Sequence, residues 1–570
     1  MTETSSNTSE NLTGVDPTRA GDLSATKTDE SPGVRVAWAV LIVATLYVCY
    51  FSQLGALGFV GPDEPRYAWI ARAMVESRNW VTPRLYGRPW FEKPALYYWE
   101  AGLSFKIFGI SETAARLPSA ISALLGTLAL AWLAWRVYGP RTARWLLVLL
   151  PSCVGMIGFS HAAATDMPFS AMLTMAMVCA AVVLGLTRDE HTPILPRMPW
   201  LALALFGVFL GMAVLAKGPA AIVLCGGAVF FWGIFTKRWS DAFRLFHPVA
   251  VLAFCVTALP WYVLCARRNP DFFRVFIIEH NFKRYLTPEF QHIQSFWFYA
   301  PVLLVAFLPW TAMFVWSAAV GLRELVRTRS ASGVTWLLIC WAGFCVAFFS
   351  ASHSKLPGYV LPAIPAIGLL MAHVFVAMRE RYHLSFRIAH FSAAASFLVV
   401  FAFVGLVSAH RNLDGAKPVG SVAILMLLFA LANAIAGVFP GLSPLLYREL
   451  GAAVAVVPIQ IAALLATSFV TSHFLWDPSG RTIAREVQRQ NIPPGALTVA
   501  NMNRAQEYSL SFYLHQEIKP WDTASETGGY LLTGSQACPE TVGPNFFCEQ
   551  QPFDSQRTGE FLYLVIPIAK

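Results

Sequence analysis

Apolar residues fall in long unbroken runs along this chain, each closed by a short polar or charged interval. A helix needs about 17–25 such residues to cross a bilayer. Runs of that kind lie near 36–58, 117–136, 145–160, 167–187, 200–216 and 219–236. They continue near 248–265, 298–320, 333–351, 358–378, 388–408, 422–438 and 451–475. The pattern predicts an α-helical polytopic membrane protein with about thirteen transmembrane helices. Residues 1–34 are polar and rich in Ser and Thr, the composition of a disordered tail. No charged n-region and cleavage site precede the first run, so it reads as a retained anchor. Three segments follow: the tail 1–34, a membrane domain 35–476 and a C-terminal domain 477–570. In the last, 478–490 reads as a helix, and "ALTVAN" (496–501) and "EFLYLVIPI" (560–568) read as strands, giving a small α/β unit.

Charge sets the orientation. With the N-terminus cytoplasmic, the loops "RVYGPRTAR" (136–144), "TKRWSDAFR" (236–244), "RELVRTR" (323–329) and "RERYHLSFR" (379–387) face inside, and all are basic. The C-terminal domain is then on the outer side. Cys538 and Cys548, in that domain, are expected to pair in an oxidising compartment. The outer loops become 59–116, 161–166, 217–218, 266–297, 352–357 and 409–421. Loop 59–116 has room for two short helices along the membrane surface, one with Tyr67, Ile70, Ala71 and Met74 on its apolar face.

Composition narrows the class. Of 570 residues, 56% are hydrophobic and 13% charged, against roughly 25% charged in soluble chains. Within the spans, His373 and His390 are the main ionisable residues. Pumps and proton-coupled transporters need acids or bases at membrane depth, so transport is disfavoured. No nucleic-acid partner is expected, and the chain reads as a monomer.

Charge-rich motifs that are not simply basic gather on the outer face: "DEPRY", "FEKP", "AATDMP", "AKGPA", "EHNFKRY" and "SHSKLPGY". Each has a bland alternative. Asp63 and Glu64 before Pro65, and Thr165-Asp166 before Pro168, are also good helix starts. Lys93 could be an interfacial lysine reaching for water. Lys217-Gly218-Pro219 and Lys355 sit in tight re-entries, and His280 in a polar loop. Together, carboxylates and cations at one mouth suit an anionic substrate: a carboxylate orients or deprotonates a hydroxyl, and lysines and arginines hold a phosphate.

In order and spacing, "DEPRYAWIARAM", "WFEKPALYYW", "TDMPF", "AKGPAAI", "EHNFKRY" and "KLPGYVLP" resemble the lipid A aminoarabinose transferases, which belong to the protein-mannosyltransferase-like glycosyltransferases of the GT-C class. The resemblance covers about residues 36–380. It implies a GT-C fold and an undecaprenyl-phosphate sugar donor, most simply 4-amino-4-deoxy-L-arabinose. It also implies lipid A or another periplasmic acceptor, with membrane lipid around the protein. It makes Asp63 and Asp166 catalytic carboxylates and Lys93, Arg66, Lys217, Lys355 and Arg284 donor-phosphate contacts. Glu64, Tyr67 and Tyr359 become further substrate contacts. Glu92 and His280 correspond to a pair that can hold zinc. Transfer of another lipid-linked sugar to a protein or glycan, and a lipid flippase, are the alternatives.

Overall fold

A computed structural model describes residues 32–187, 199–283, 293–379 and 479–521, most of 528–568, and isolated positions between 390 and 438. Among the described residues, seven helices are long and apolar enough to span a bilayer: Pro32–Tyr50, Glu112–Tyr138, Asp166–Val183, Trp200–Lys217, Pro248–Arg268, Gly333–Ala351 and Pro357–Ala377. Two more are bent pairs, Pro140–Leu149 with Val154–Ser160 at 64° and Phe296–Ala306 with Thr311–Thr328 at 119°. Ala220–Thr236 is a shorter apolar helix. These are the first ten of the expected runs. The last three, and with them the count of thirteen, lie largely outside the described residues.

Proline explains both bends. Pro151 and Pro309 lack the N–H that would continue each helix. The two breaks then satisfy one another, because Val154 N donates to Leu308 O at 2.8 Å and Trp310 Nε1 to Ser152 Oγ at 2.8 Å. The helix Asp166–Val183 is buried along nearly its whole length, with Ala, Met and Phe packed on all sides. Asp166 therefore stands at the end of the most enclosed of the described spans.

The first span differs from expectation. Its helix stops at Tyr50, and 51–57 form turns where the apolar run continues to 58. Two arginines take the carbonyls that the helix would need. Arg116 binds Leu54 O, Leu57 O and Gly58 O, and Arg481 binds Gly55 O and Ala56 O.

Loop 59–116 contains the two expected helices, Asp63–Ser77 and Leu96–Phe108. Tyr67, Ile70, Ala71 and Met74 form the buried face as the spacing predicts. Between the helices, β1 (Arg84–Leu85) and β2 (Arg88–Pro89) make a hairpin that the sequence reading did not anticipate. Its turn uses φ +50° at Tyr86 and +79° at Gly87, the left-handed pair that matches strand twist.

The C-terminal unit is the expected α/β domain. The amphipathic helix Arg481–Arg489 buries Ile483, Ala484 and Val487. With helix Arg504–Leu514 it covers a sheet of β3 (Leu497–Ala500), β4 (Lys519–Pro520), β5 (Gly529–Thr533), β6 (Phe546–Gln551) and β7 (Phe561–Pro567). The order is β4-β3-β5-β7-β6, parallel through β4-β3-β5 and antiparallel through β5-β7-β6. Cys538 and Cys548 are joined as a disulfide.

Candidate active site

The site is built on a buried ion pair. Glu64 and Arg116 meet through two bonds, Nε to Oε1 at 2.9 Å and Nη2 to Oε2 at 2.7 Å. Each carboxylate oxygen also accepts a backbone N–H, from Ala163 and from Val60, both at 2.7 Å. Glu64 thus ties the loop carrying Asp63 to the loop carrying Asp166. The expected substrate role does not suit it, since both of its oxygens are already doubly occupied. Arg116 was not anticipated. The only hint in the sequence is a charge near the start of an apolar span.

Asp63 opens helix Asp63–Ser77, but the capping reading fails: neither this helix nor Asp166–Val183 has a side-chain N-cap. Asp63 instead pairs with Arg66, which also reaches Glu92 Oε2 at 3.2 Å. Lys93 Nζ stands 3.9 Å from Glu92 Oε1. Arg66 and Glu92 are nearly covered, while the Asp63 side chain is 49% exposed. Burial works against the Arg66 cation, but Glu92 and Asp63 outweigh it and hold the guanidinium firmly charged. Tyr67 is buried behind this group. Burial, then the charges of Glu92 and Asp63, keep its hydroxyl neutral.

A second ion pair lies on the adjoining loops. Lys217 Nζ is 2.5 Å from Asp166 Oδ1 and 4.9 Å from the centre of the Tyr359 ring. Gly358 is required here: a Cβ would lie 2.7 Å from Asp166 Oδ1 and 2.9 Å from the Phe159 ring. Three residues upstream, Lys355 is buried and donates to Ser352 O at 2.5 Å and Gln294 O at 3.1 Å. Among the described residues, the expected outer loops therefore touch one another, with Asp63, Arg66, Glu92 and Lys93 in one cluster and Asp166, Lys217 and Tyr359 in another.

Arg284 and the side chain of His280 lie outside the described residues. Beside Glu92 a cavity of about 430 Å³ opens, lined by Trp90, Phe91, Arg268, Asn269 and Arg274 among others. Among the described residues no three His, Cys, Asp or Glu side chains stand close enough to hold a metal. Glu92, the one described member of the expected zinc pair, faces Arg66 and Lys93.

These features define a polytopic membrane protein whose ionisable groups meet beneath an α/β domain, the arrangement of the GT-C class. The chain is similar in fold over most of its length to ArnT from Cupriavidus metallidurans. The apo structure of that protein superposes with a TM-score of 0.73 at 24% identity, covering 93% of this chain and 98% of that one. The structure bound to undecaprenyl phosphate gives 0.72 at 23%, with the same coverage. The family model described as dolichyl-phosphate-mannose-protein mannosyltransferase matches residues 36–276. Relatives include the undecaprenyl phosphate-alpha-4-amino-4-deoxy-L-arabinose arabinosyl transferase of Erwinia tasmaniensis, 32% identical over 58% of each chain. One from Pseudomonas fluorescens is 31% identical over 61% of each. The chain spans about three-fifths of the length of these curated relatives.

Proposed function

We propose that the protein is a bacterial inner-membrane glycosyltransferase that moves a sugar from undecaprenyl phosphate to lipid A, with 4-amino-4-deoxy-L-arabinose as the sugar. The observation that carries this reading is that touching loops hold Asp63 paired with Arg66, Asp166 paired with Lys217, and Lys93 beside Glu92. An anionic leaving group and a hydroxyl nucleophile need those two kinds of group.

In the donor, the anomeric carbon is bonded to a phosphate oxygen. The acceptor oxygen attacks that carbon, the bond to phosphate breaks, and its electron pair leaves on undecaprenyl phosphate. Lys93, Arg66 and Lys217 stabilise the charge that develops on the departing phosphate. Asp63, the more open carboxylate, takes the acceptor proton. Asp166, held by Lys217, orients the sugar. The prenyl tail lies among the apolar helices.

The test is mass spectrometry of outer-membrane lipids from cells with and without the gene. The reading expects a lipid A species heavier by one aminopentose only when the protein is present. Identical lipid profiles under inducing expression would refute it.

A further inference from the structure

The C-terminal domain reaches the first charge cluster. Helix Arg504–Leu514 lies against helix Asp63–Ser77 and is fixed there by several independent contacts. Phe512 meets Phe59 edge-on at 4.8 Å, and Tyr513 Oη donates to Glu112 at 2.8 Å while accepting from Phe59 N at 3.1 Å. Arg481 adds a 3.3 Å contact to the same Glu112. One helical turn before Phe512, on the same face, stands Tyr508.

Its ring is 5.3 Å from the Arg66 guanidinium, and on Arg66 the Trp90 ring adds a second contact at 5.6 Å. Tyr86, at the tip of the β1–β2 hairpin, stacks on Tyr508 at 6.4 Å. Arg504 lies 5.5 Å from the Tyr508 ring and donates to its Oη at 3.3 Å. With the Tyr67 ring at 6.0 Å, three aromatic rings surround the guanidinium, leave its edge to Asp63, Glu92 and Pro62 O, and keep water from it; the Arg66 side chain is 8% exposed. A guanidinium paired at its edge and stacked on its faces is fixed in orientation as well as position.

We propose that Tyr508 is a positioning residue for the transferase: the C-terminal domain contributes one wall of an aromatic clamp that aims Arg66 at Asp63 and Glu92. This rests on the reaction proposed above. Undocking of the domain then opens the clamp and disarms the site.

The test uses the full chain in detergent with a lipid-linked sugar. Tyr508→Leu, which keeps bulk but removes the π face, should lower kcat by about tenfold, the size of one partly desolvated cation–π contact. KM for the donor should change less than twofold (~0.4 kcal/mol at most). Tyr508→Phe, which keeps the ring, should recover most of the loss. Equal losses in both variants, or wild-type kcat in Tyr508→Leu, would overturn the proposal. A second measurement needs no substrate. Arg66→Ala and Tyr508→Leu, alone and together, are compared by thermal unfolding. Coupling makes the loss in the double variant smaller than the sum of the two single losses, whereas additive losses contradict the clamp. If the wild type transfers no sugar, the reaction reading falls and this cycle still decides whether the contact exists.

Discussion

Replacing Glu64 with Gln changes one atom and nearly nothing in volume, yet the surroundings leave the amide no good orientation. Four N–H donors converge on the two carboxylate oxygens: Arg116 Nε and Ala163 N on Oε1, Arg116 Nη2 and Val60 N on Oε2. Whichever way the amide turns, its NH2 faces two of those donors. Two hydrogen bonds to a charged group are lost, at about 1.5–3 kcal/mol each. The Arg116 charge, on a side chain 5% exposed, is then left unpaired. Breaking one side of a buried pair costs about 3–5 kcal/mol, in agreement with the sum over bonds. Thermal or denaturant unfolding of the purified protein should show a loss of that size. Sugar transfer should fall as well, because the loops bearing Asp63 and Asp166 are no longer tied. The double variant Glu64→Gln/Arg116→Met should be more stable than the two single losses added together. Unfolding of Glu64→Gln within about 1 kcal/mol of wild type would refute the reasoning.

Other perturbations have equally definite outcomes. Gly358→Ala places a methyl 2.7 Å from Asp166 Oδ1, so transfer should drop by more than about tenfold while the protein still elutes as a folded species. Burial raises the Glu100 carboxyl from 4.5 to about 8, and its Oε2 is sealed without a partner among the described residues. The folded state holds that proton more tightly than the unfolded state. Its contribution is therefore present below the unfolded pKa near 4.5 and lost as pH rises towards about 8. The melting temperature should fall across that window, and Glu100→Gln should flatten the profile. Tyr98 is buried with no partner for its hydroxyl among the described residues, so Tyr98→Phe should leave stability within about 0.5 kcal/mol of wild type. A loss several times larger in unfolding would reveal a bond the geometry does not contain.

Local patterns were readable from the chain. Apolar runs located the first ten helices, the spacing of Tyr67, Ile70, Ala71 and Met74 gave the buried face of a loop helix, and two strands of the tail followed from β-branched and aromatic runs. The charge-rich motifs also pointed to loops that do touch. Contacts between distant residues were not readable. Nothing near Glu64 marks Arg116, 52 positions away, as its partner, and the arginines that end the first helix at Tyr50 act from residues 116 and 481. The hairpin at 84–89 is too short for periodicity to show it. Tyr508 lies in a segment that carries no charge motif, and only the docked domain brings it to Arg66.

The central claim is that Asp63 is the carboxylate at which sugar leaves undecaprenyl phosphate for its acceptor. Purified protein given a radiolabelled undecaprenyl-phosphate sugar and lipid A decides it. The account predicts that wild type moves label to lipid A and that Asp63→Asn, folded and inserted as well as wild type, does not. Undiminished transfer by Asp63→Asn would contradict it.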